Sequence, residues 1–137
     1  ACLVGSEMCI RDRIKRMVRD LNMDIEIVGC PIVREEDGLA KSSRNTYLSS
    51  EERKAALILS KTVALGKELA KTEKDANKVV EAMKKNIETE PLAKIDYVEA
   101  VDALSMAPVE KLEGTCMLAM AVYIGKTRLI DNTLINE

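Results

Sequence analysis

The continuous apolar run from Cys116 to Tyr123 constrains the fold most, because residues on both sides of this segment must be buried. Such a run is typical of a central strand, which needs a neighbour on each edge to pair its backbone N–H and C=O groups. The runs Ile95–Val101 and Thr127–Ile130 supply these neighbours, and Gly125 with Lys126 resembles a tight hairpin connection. The sequence therefore predicts a three-stranded antiparallel sheet.

Two helices are predicted to cover this sheet. Ser49 and Glu52 match the S-x-x-E capping box, so a helix is expected to begin there and to run to about Ala70. A second amphipathic helix is predicted from Glu73 to Ile87. Because only 2% of the residues are aromatic, the core must consist of aliphatic side chains and methionines. Together these elements form a small α+β unit.

The N-terminal part has a different organisation. The apolar residues Ile14, Met17 and Leu21 share one stripe of a helix that is expected to end near Asn22. A short strand is predicted directly after it, from Ile25 to Val28. A helix followed by such a strand suggests one αβ unit of a parallel sheet. This unit needs neighbouring strands that the rest of the chain does not obviously supply, so it resembles the last part of a larger α/β domain.

Composition excludes several classes of function. With 21 basic and 23 acidic residues, the chain has no broad positive field for nucleic acid, and any anion site must be local. No apolar run is long enough to span a bilayer, so we expect no membrane association and a cytoplasmic location. The absence of histidine excludes imidazole as an acid, a base or a metal ligand. The basic residues of the first helix are interpreted as a solvated surface.

The four cysteines fit neither a zinc site nor a disulfide framework. Cys30 and Cys116 lie in apolar runs and are expected to be small buried hydrophobic residues without chemistry of their own. No metal site is predicted from these side chains.

The segment Gly38–Asn45, GLAKSSRN, is the best candidate for a binding site. Its serine hydroxyls can donate to phosphate oxygens, Arg44 can contact two oxygens at once, and Lys41 adds a mobile charge. The spacing is not that of a P-loop. The alternative is a polar turn in which Arg44 pairs with an acidic residue of the preceding segment, namely Glu35, Glu36 or Asp37.

The order of residues around this loop carries a resemblance to a known family. The segment Asn22–Ser49, NMDIEIVGCPIVREEDGLAKSSRNTYLS, closely resembles the second half of the bacterial pantothenate synthetases. IKRMVRDLN at Ile14–Asn22 is also similar to that family, and the likeness continues less specifically through IDYVEAVDA at Ile95–Ala103 to the C-terminus.

The resemblance implies an ATP-dependent ligase that condenses pantoate with β-alanine, through a pantoyl adenylate, to the coenzyme A precursor pantothenate. ATP and accompanying Mg²⁺ would be required, and the intact enzyme would be a homodimer. By the resemblance, Lys41, Ser42, Ser43 and Arg44 form the nucleotide signature that grips the phosphates, and Val33 contacts adenine. Lys41 is expected to stabilise the negative charge that develops on the departing pyrophosphate.

Departures from the family pattern limit this interpretation. The family's histidine motif and pantoate-binding residues have no counterpart in this chain, so no catalytic residue is assigned. We expect residues 1–13 to be foreign to the family, residues 14–37 to be a remnant of a Rossmann-like nucleotidyltransferase domain, and residues 38–137 to be the C-terminal lid domain. We expect the chain to be a C-terminal fragment that is inactive alone. The alternatives are a non-catalytic interaction module and a simple nucleotide-phosphate binder.

Overall fold

The computed structural model describes residues 7 to 135, with side chains from residue 13 onward. It divides into two compact units, residues 1–32 and residues 33–137. The first six residues of the segment expected to be foreign therefore lie outside the described residues. The proposed domain boundary at residue 38 stays a prediction.

The first unit contains helix α1, Glu7–Asp20, as its regular element. Asn22 ends the helix in a left-handed conformation with a φ of 49°. Its N–H donates to Arg19 O at 3.1 Å, and the N–H of Met23 donates to Val18 O at 2.9 Å. These two bonds form a Schellman motif, in which a residue of positive φ satisfies the last carbonyls. The predicted helix end near Asn22 is confirmed.

The predicted strand at Ile25–Val28 is wrong for the described structure, because residues 25–33 form no regular element. The side chains are also exposed: Ile25 retains 53% and Val28 71% of its accessible surface. Cys30 is exposed as well, contrary to the expectation that it is buried. The physical reason is that no strand among residues 7–135 pairs with this segment, so its backbone has no ladder to join.

The second unit contains the predicted sheet. Strands β1 (Ala93–Asp102), β2 (Cys116–Ile124) and β3 (Thr127–Ile135) pair in the antiparallel order β1-β2-β3. A bulge interrupts the register of β1 between Ile95 and Tyr97. The prediction of three antiparallel strands is confirmed, and β3 is longer than its apolar run indicated.

The helices of this unit are α2 (Ser50–Ala55), α3 (Leu57–Leu69) and α4 (Ala76–Ile87). The capping box at the start of α2 forms as predicted: Ser49 Oγ accepts from Glu52 N at 3.2 Å, and Ser49 N donates to Glu52 Oε2 at 2.8 Å. The break between α2 and α3 was not predicted.

Helix α4 begins later than the predicted Glu73. Asp75 is its N-cap, since the Asp75 carboxylate accepts from Asn77 N at 3.0 Å and from Lys78 N at 3.3 Å. Aspartate at the N-cap satisfies backbone N–H groups that have no partner inside the helix. Glu73 Oε1 in turn accepts from Asp75 N at 2.9 Å, which holds the cap in place.

The core lies between the sheet and the helices. Strand β2 is buried along nearly its whole length, as its apolar run predicted. Helix α3 approaches the sheet closely at Gly66, where an added Cβ would lie 2.7 Å from Met83 Sδ and 2.9 Å from Leu118 Cδ1. Cys116 is buried, as expected. Within residues 7–135, no helix combines the length and the apolar character needed to cross a bilayer.

The hairpin between β2 and β3 depends on Gly125, which has a φ of 58°. A Cβ at this position would overlap the carboxylate of Glu52, the residue that closes the capping box. We expect Gly125→Ala to lower the free energy of unfolding in urea by more than the roughly 1–2 kcal/mol that a left-handed alanine costs. Gly114→Ala is the matched control, because Gly114 has a φ of 66° but no atom within 4 Å of an added Cβ. Equal losses in the two variants would contradict the role given to the Glu52 contact.

Candidate functional site

Residues 33–41 fold back on themselves as a short hairpin at the start of the second unit. Arg34 and Ala40 form an antiparallel bridge. The N–H of Lys41 donates to Val33 O at 2.9 Å, which closes the hairpin. The hairpin therefore ends at Lys41, directly before the two serines of the motif.

The serines continue directly into a 3₁₀ helix, Ser43–Tyr47. Ser42 is its N-cap, and Ser42 Oγ accepts from Arg44 N at 3.2 Å. Thr46 Oγ1 donates to Ser43 O at 2.7 Å, which tightens the same turn. These local bonds give the loop a defined backbone without burying its side chains.

An open groove of about 540 Å³ lies at this loop. It brings together three of the residues predicted for the site with four others; the lining residues are Glu35, Lys41, Ser42, Ser43, Asn45, Thr46 and Arg53. Val33 and Arg44, the other two predicted residues, are exposed but do not line the groove.

Arg53 of α2 holds the acidic residues of the hairpin. Arg53 Nη2 lies 2.9 Å from Glu35 Oε2 and 2.7 Å from Asp37 Oδ2. The hydrogen bond from Arg53 lowers the pKa of Asp37. Hydrogen bonds from Asn45 and then from Arg53 lower the pKa of Glu35. The alternative considered from the sequence was a turn in which Arg44 pairs with Glu35, Glu36 or Asp37. It is wrong for Glu35 and Asp37, which pair with Arg53, and the described part of the chain shows no ion pair between Arg44 and Glu36.

Asn45 links the two ends of the loop. Its Nδ2 donates to Glu35 Oε1 at 2.9 Å and to Ala40 O at 3.1 Å. Asn45 Oδ1 and Arg53 Nη1 are buried and have no hydrogen-bond partner among the described residues. Two residues that line the groove therefore each carry one buried polar atom without a partner in the described part of the chain.

The electrostatic character of the groove follows from these pairs. The two carboxylates of Glu35 and Asp37 exceed the single positive charge of Arg53, whereas Lys41 forms no ion pair within the described part of the chain. Lys41 is therefore the cation that a ligand in this groove can use. One lysine with two serine hydroxyls suits a phosphate group but supplies only part of what a triphosphate needs.

The described side chains do not by themselves form a metal site. No group of three potential ligands (His, Cys, Asp or Glu) lies close enough to hold a metal ion in the part of the chain that the structure describes. Glu35, which lines the groove, and Asp37 beside it in the hairpin are both engaged by Arg53.

The sequence did not indicate Arg53, which lies 8 residues beyond the motif's last residue, Asn45. A usable signal was present, since the capping box at Ser49 starts a helix directly after the motif. Arg53 lies four residues after the N-cap Ser49 of that short helix and therefore stays close to the loop.

Comparisons with known proteins are consistent across sequence and structure. The family model described as pantoate-beta-alanine ligase matches residues 11–134. The chain is 64% identical over 120 residues to a pantothenate synthetase of Enterococcus faecalis and 66% identical over 120 residues to one of Clostridium acetobutylicum. Each alignment covers 87% of this chain but only 43% of the relative, so the chain spans less than half of the relatives' length.

Solved structures give the same result. A pantothenate synthetase from Thermus thermophilus superposes with a TM-score of 0.83 at 36% identity, over 90% of this chain and 45% of that protein. A pantoate-beta-alanine ligase from Francisella tularensis, complexed with beta-gamma ATP and beta-alanine, gives a TM-score of 0.52 at 28% identity, over 88% of this chain and 38% of that protein.

The contacts of Arg53 predict how stability depends on pH. Because the folded-state pKa values of Glu35 and Asp37 are lowered, their ionised forms stabilise the fold above the unfolded pKa values of roughly 4. This contribution is lost as the pH falls through the lowered folded values. We expect Arg53→Gln to reduce stability at pH 7 and to lose less stability on acidification, as measured by urea unfolding from pH 7 to pH 3.

The matched control is Lys54→Gln, which changes a neighbouring exposed lysine for which the described part of the chain shows no ion pair. Its pH dependence should follow that of the parent chain. A parallel pH dependence of Arg53→Gln and the parent chain would show that these carboxylates do not couple to Arg53.

Proposed function

Because the chain belongs to the pantoate–β-alanine ligase family, we propose that it is the C-terminal portion of a pantothenate synthetase and supplies the loop that binds the phosphates of ATP. The observation that carries the proposal is the groove in which Lys41 lies beside Ser42 and Ser43 without an acidic partner among the described residues. Arg44 and Val33 complete the proposed nucleotide site, with Val33 at the adenine, although neither lines the groove in this chain alone.

The proposed reaction uses this loop in its first step. The carboxylate of pantoate attacks the α-phosphorus of ATP, the bond to the β-phosphate breaks, and pyrophosphate leaves with the electron pair. The amine of β-alanine then attacks the acyl carbon, AMP leaves, and the amine loses a proton. Negative charge grows on the departing pyrophosphate, and a fixed cation aimed at it lowers the barrier. Lys41 has this role in the proposal, and the serine hydroxyls orient the phosphates.

The proposal also implies that this chain is inactive by itself. It contains no histidine, and no residue in it is assigned to the pantoate carboxylate. Without groups that hold both reactants, the advantage of proximity, about 7–11 kcal/mol at most, is lost. Magnesium would arrive with ATP, because the described residues form no site for it. A cytoplasmic location and a homodimeric intact enzyme stay part of the proposal.

A chimeric enzyme tests this function. Residues 14–135 of this chain would replace the matching segment of the Enterococcus faecalis synthetase, whose identity of 64% favours correct folding. We expect the chimera to release pyrophosphate in the presence of pantoate and ATP, and the isolated chain to show no turnover. An inactive but folded chimera, or an isolated chain as active as the chimera, would contradict the proposal.

Lys41→Ala in that chimera should lower kcat by about a hundredfold, the typical loss when one stabilising group is removed from a developing charge. Lys126→Ala is the control, because Lys126 lies in the β2–β3 hairpin and does not line the groove. Pyrophosphate release measured at saturating ATP checks the prediction. Equal kcat values for the two variants would remove Lys41 from the mechanism.

A second candidate function rests on the exposed apolar side chains of the first unit. Met17 retains 47%, Leu21 66% and Val28 71% of its accessible surface. Such a surface favours association with another protein surface, and a non-catalytic interaction module would use it. Sedimentation of the isolated chain over a range of concentrations distinguishes this candidate, since a monomer at all concentrations counts against it.

A further inference from the structure

A carboxylate lies inside the core of the second unit. The side chain of Asp131, in the middle of β3, is completely inaccessible to solvent. Its register partner on β2 is Met120, which is also fully buried. A buried carboxylate is costly unless a cation and hydrogen bonds compensate it.

The compensating cation comes from the hairpin that carries the site. Arg34 Nη1 donates to Asp131 Oδ2 at 2.8 Å, and Arg34 Nη2 donates to Asp131 Oδ1 at 2.9 Å. Arg34 Nη1 also donates to Gly38 O at 3.0 Å, at the turn of the same hairpin. The hydrogen bond to Asp131 raises the pKa of Arg34. One guanidinium therefore fastens both the turn of the hairpin and its first strand to the sheet.

Stability alone does not explain this pair. Replacing a buried ion pair by apolar residues of similar size is often neutral or stabilising, so such a pair is weak evidence of a gain in stability. Its two-oxygen geometry instead permits one orientation of the guanidinium, and thereby one placement of the hairpin on β3. The pair therefore fixes the placement of the hairpin on β3 and adds little to the free energy of folding.

The position of Arg34 is transmitted to the site through short backbone connections. Arg34 bridges Ala40, and Ala40 directly precedes Lys41. Asn45 Nδ2 donates to Ala40 O at 3.1 Å, so the far end of the loop follows the same strand of the hairpin. A shift of Arg34 would therefore move Lys41 and the groove-lining Asn45 together.

We propose that Arg34 and Asp131 are positioning residues, which hold Lys41, Ser42 and Ser43 in the arrangement that binds phosphate. This inference rests on the proposed function of the loop. It adds two residues that touch no ligand and that lie 97 positions apart in the sequence. The positioning role explains why β3 carries a carboxylate at a core position.

The experiment compares the parent chain with a double variant, Arg34→Met with Asp131→Leu, which replaces the ion pair by apolar side chains and leaves no unpaired charge. Calorimetry with inorganic pyrophosphate measures binding, hydrogen exchange measures protection of the Lys41 and Asn45 amides, and urea unfolding measures stability. We expect an unfolding midpoint close to that of the parent. Exchange at both amides should be faster, and pyrophosphate affinity should fall by about tenfold or more, since small misplacements of binding groups are costly.

The control is Arg128→Gln, which breaks another ion pair of β3, between Arg128 and Asp96 at 2.8 Å, neither of which lines the groove. It should leave pyrophosphate affinity and loop exchange unchanged. If the double variant fails to fold, Asp131→Asn takes its place with the same expectation for pyrophosphate affinity and loop exchange, although its unfolding midpoint should fall because Arg34 loses its charged partner. A folded variant that binds pyrophosphate as tightly as the parent overturns the inference.

The same measurements separate this inference from the function on which it rests. A parent chain that binds no pyrophosphate counts against the phosphate role of the loop and therefore against both proposals as stated. Loop exchange that is unchanged in the double variant shows that the pair does not position the loop at all. Faster exchange combined with weaker binding supports both.

Discussion

Burial of β2 on both faces is the constraint on which the rest of the second unit depends. A strand in this position must have both edges paired and its apolar side chains covered, so it requires β1 and β3 beside it and a helical layer above it. Every polar feature of the candidate site is then fixed relative to this frame. Arg34 reaches Asp131 on β3, and Arg53 extends from α2, whose neighbour α3 packs on the sheet.

The site itself is a loop held by polar contacts and by one side chain in the core, Leu39, which is 2% exposed. Arg34 anchors the hairpin to the sheet, Arg53 joins its carboxylates to α2, and Asn45 links its two ends. This arrangement leaves Lys41 and the serines exposed at a groove. Lys41 is exposed in a defined place and can bind an anionic ligand. Arg53 is already paired with carboxylates and mainly holds the loop in its conformation.

Much of this could be predicted from the sequence, where the signal is local. Three local patterns each predict a structure from a few neighbouring residues, and all three are confirmed: the apolar run of β2, the capping box at Ser49 and the turn at Gly125. The strand at Ile25–Val28 could not be assigned correctly, because an apolar run becomes a strand only when a partner pairs with it. The ion pairs of Arg34 and Arg53 also escaped prediction, since a charged residue carries no sign of which distant carboxylate it meets.

Binding of phosphate at the loop of residues 38–45 is open to an NMR titration of the chain with inorganic pyrophosphate, followed through the backbone amide shifts. We expect the shifts to concentrate at Lys41, Ser42, Ser43 and Asn45, with smaller changes at Arg53 through the contacts of the groove. Shifts confined to the exposed basic residues of α1, such as Arg16 and Arg19, with none at the loop, would contradict it.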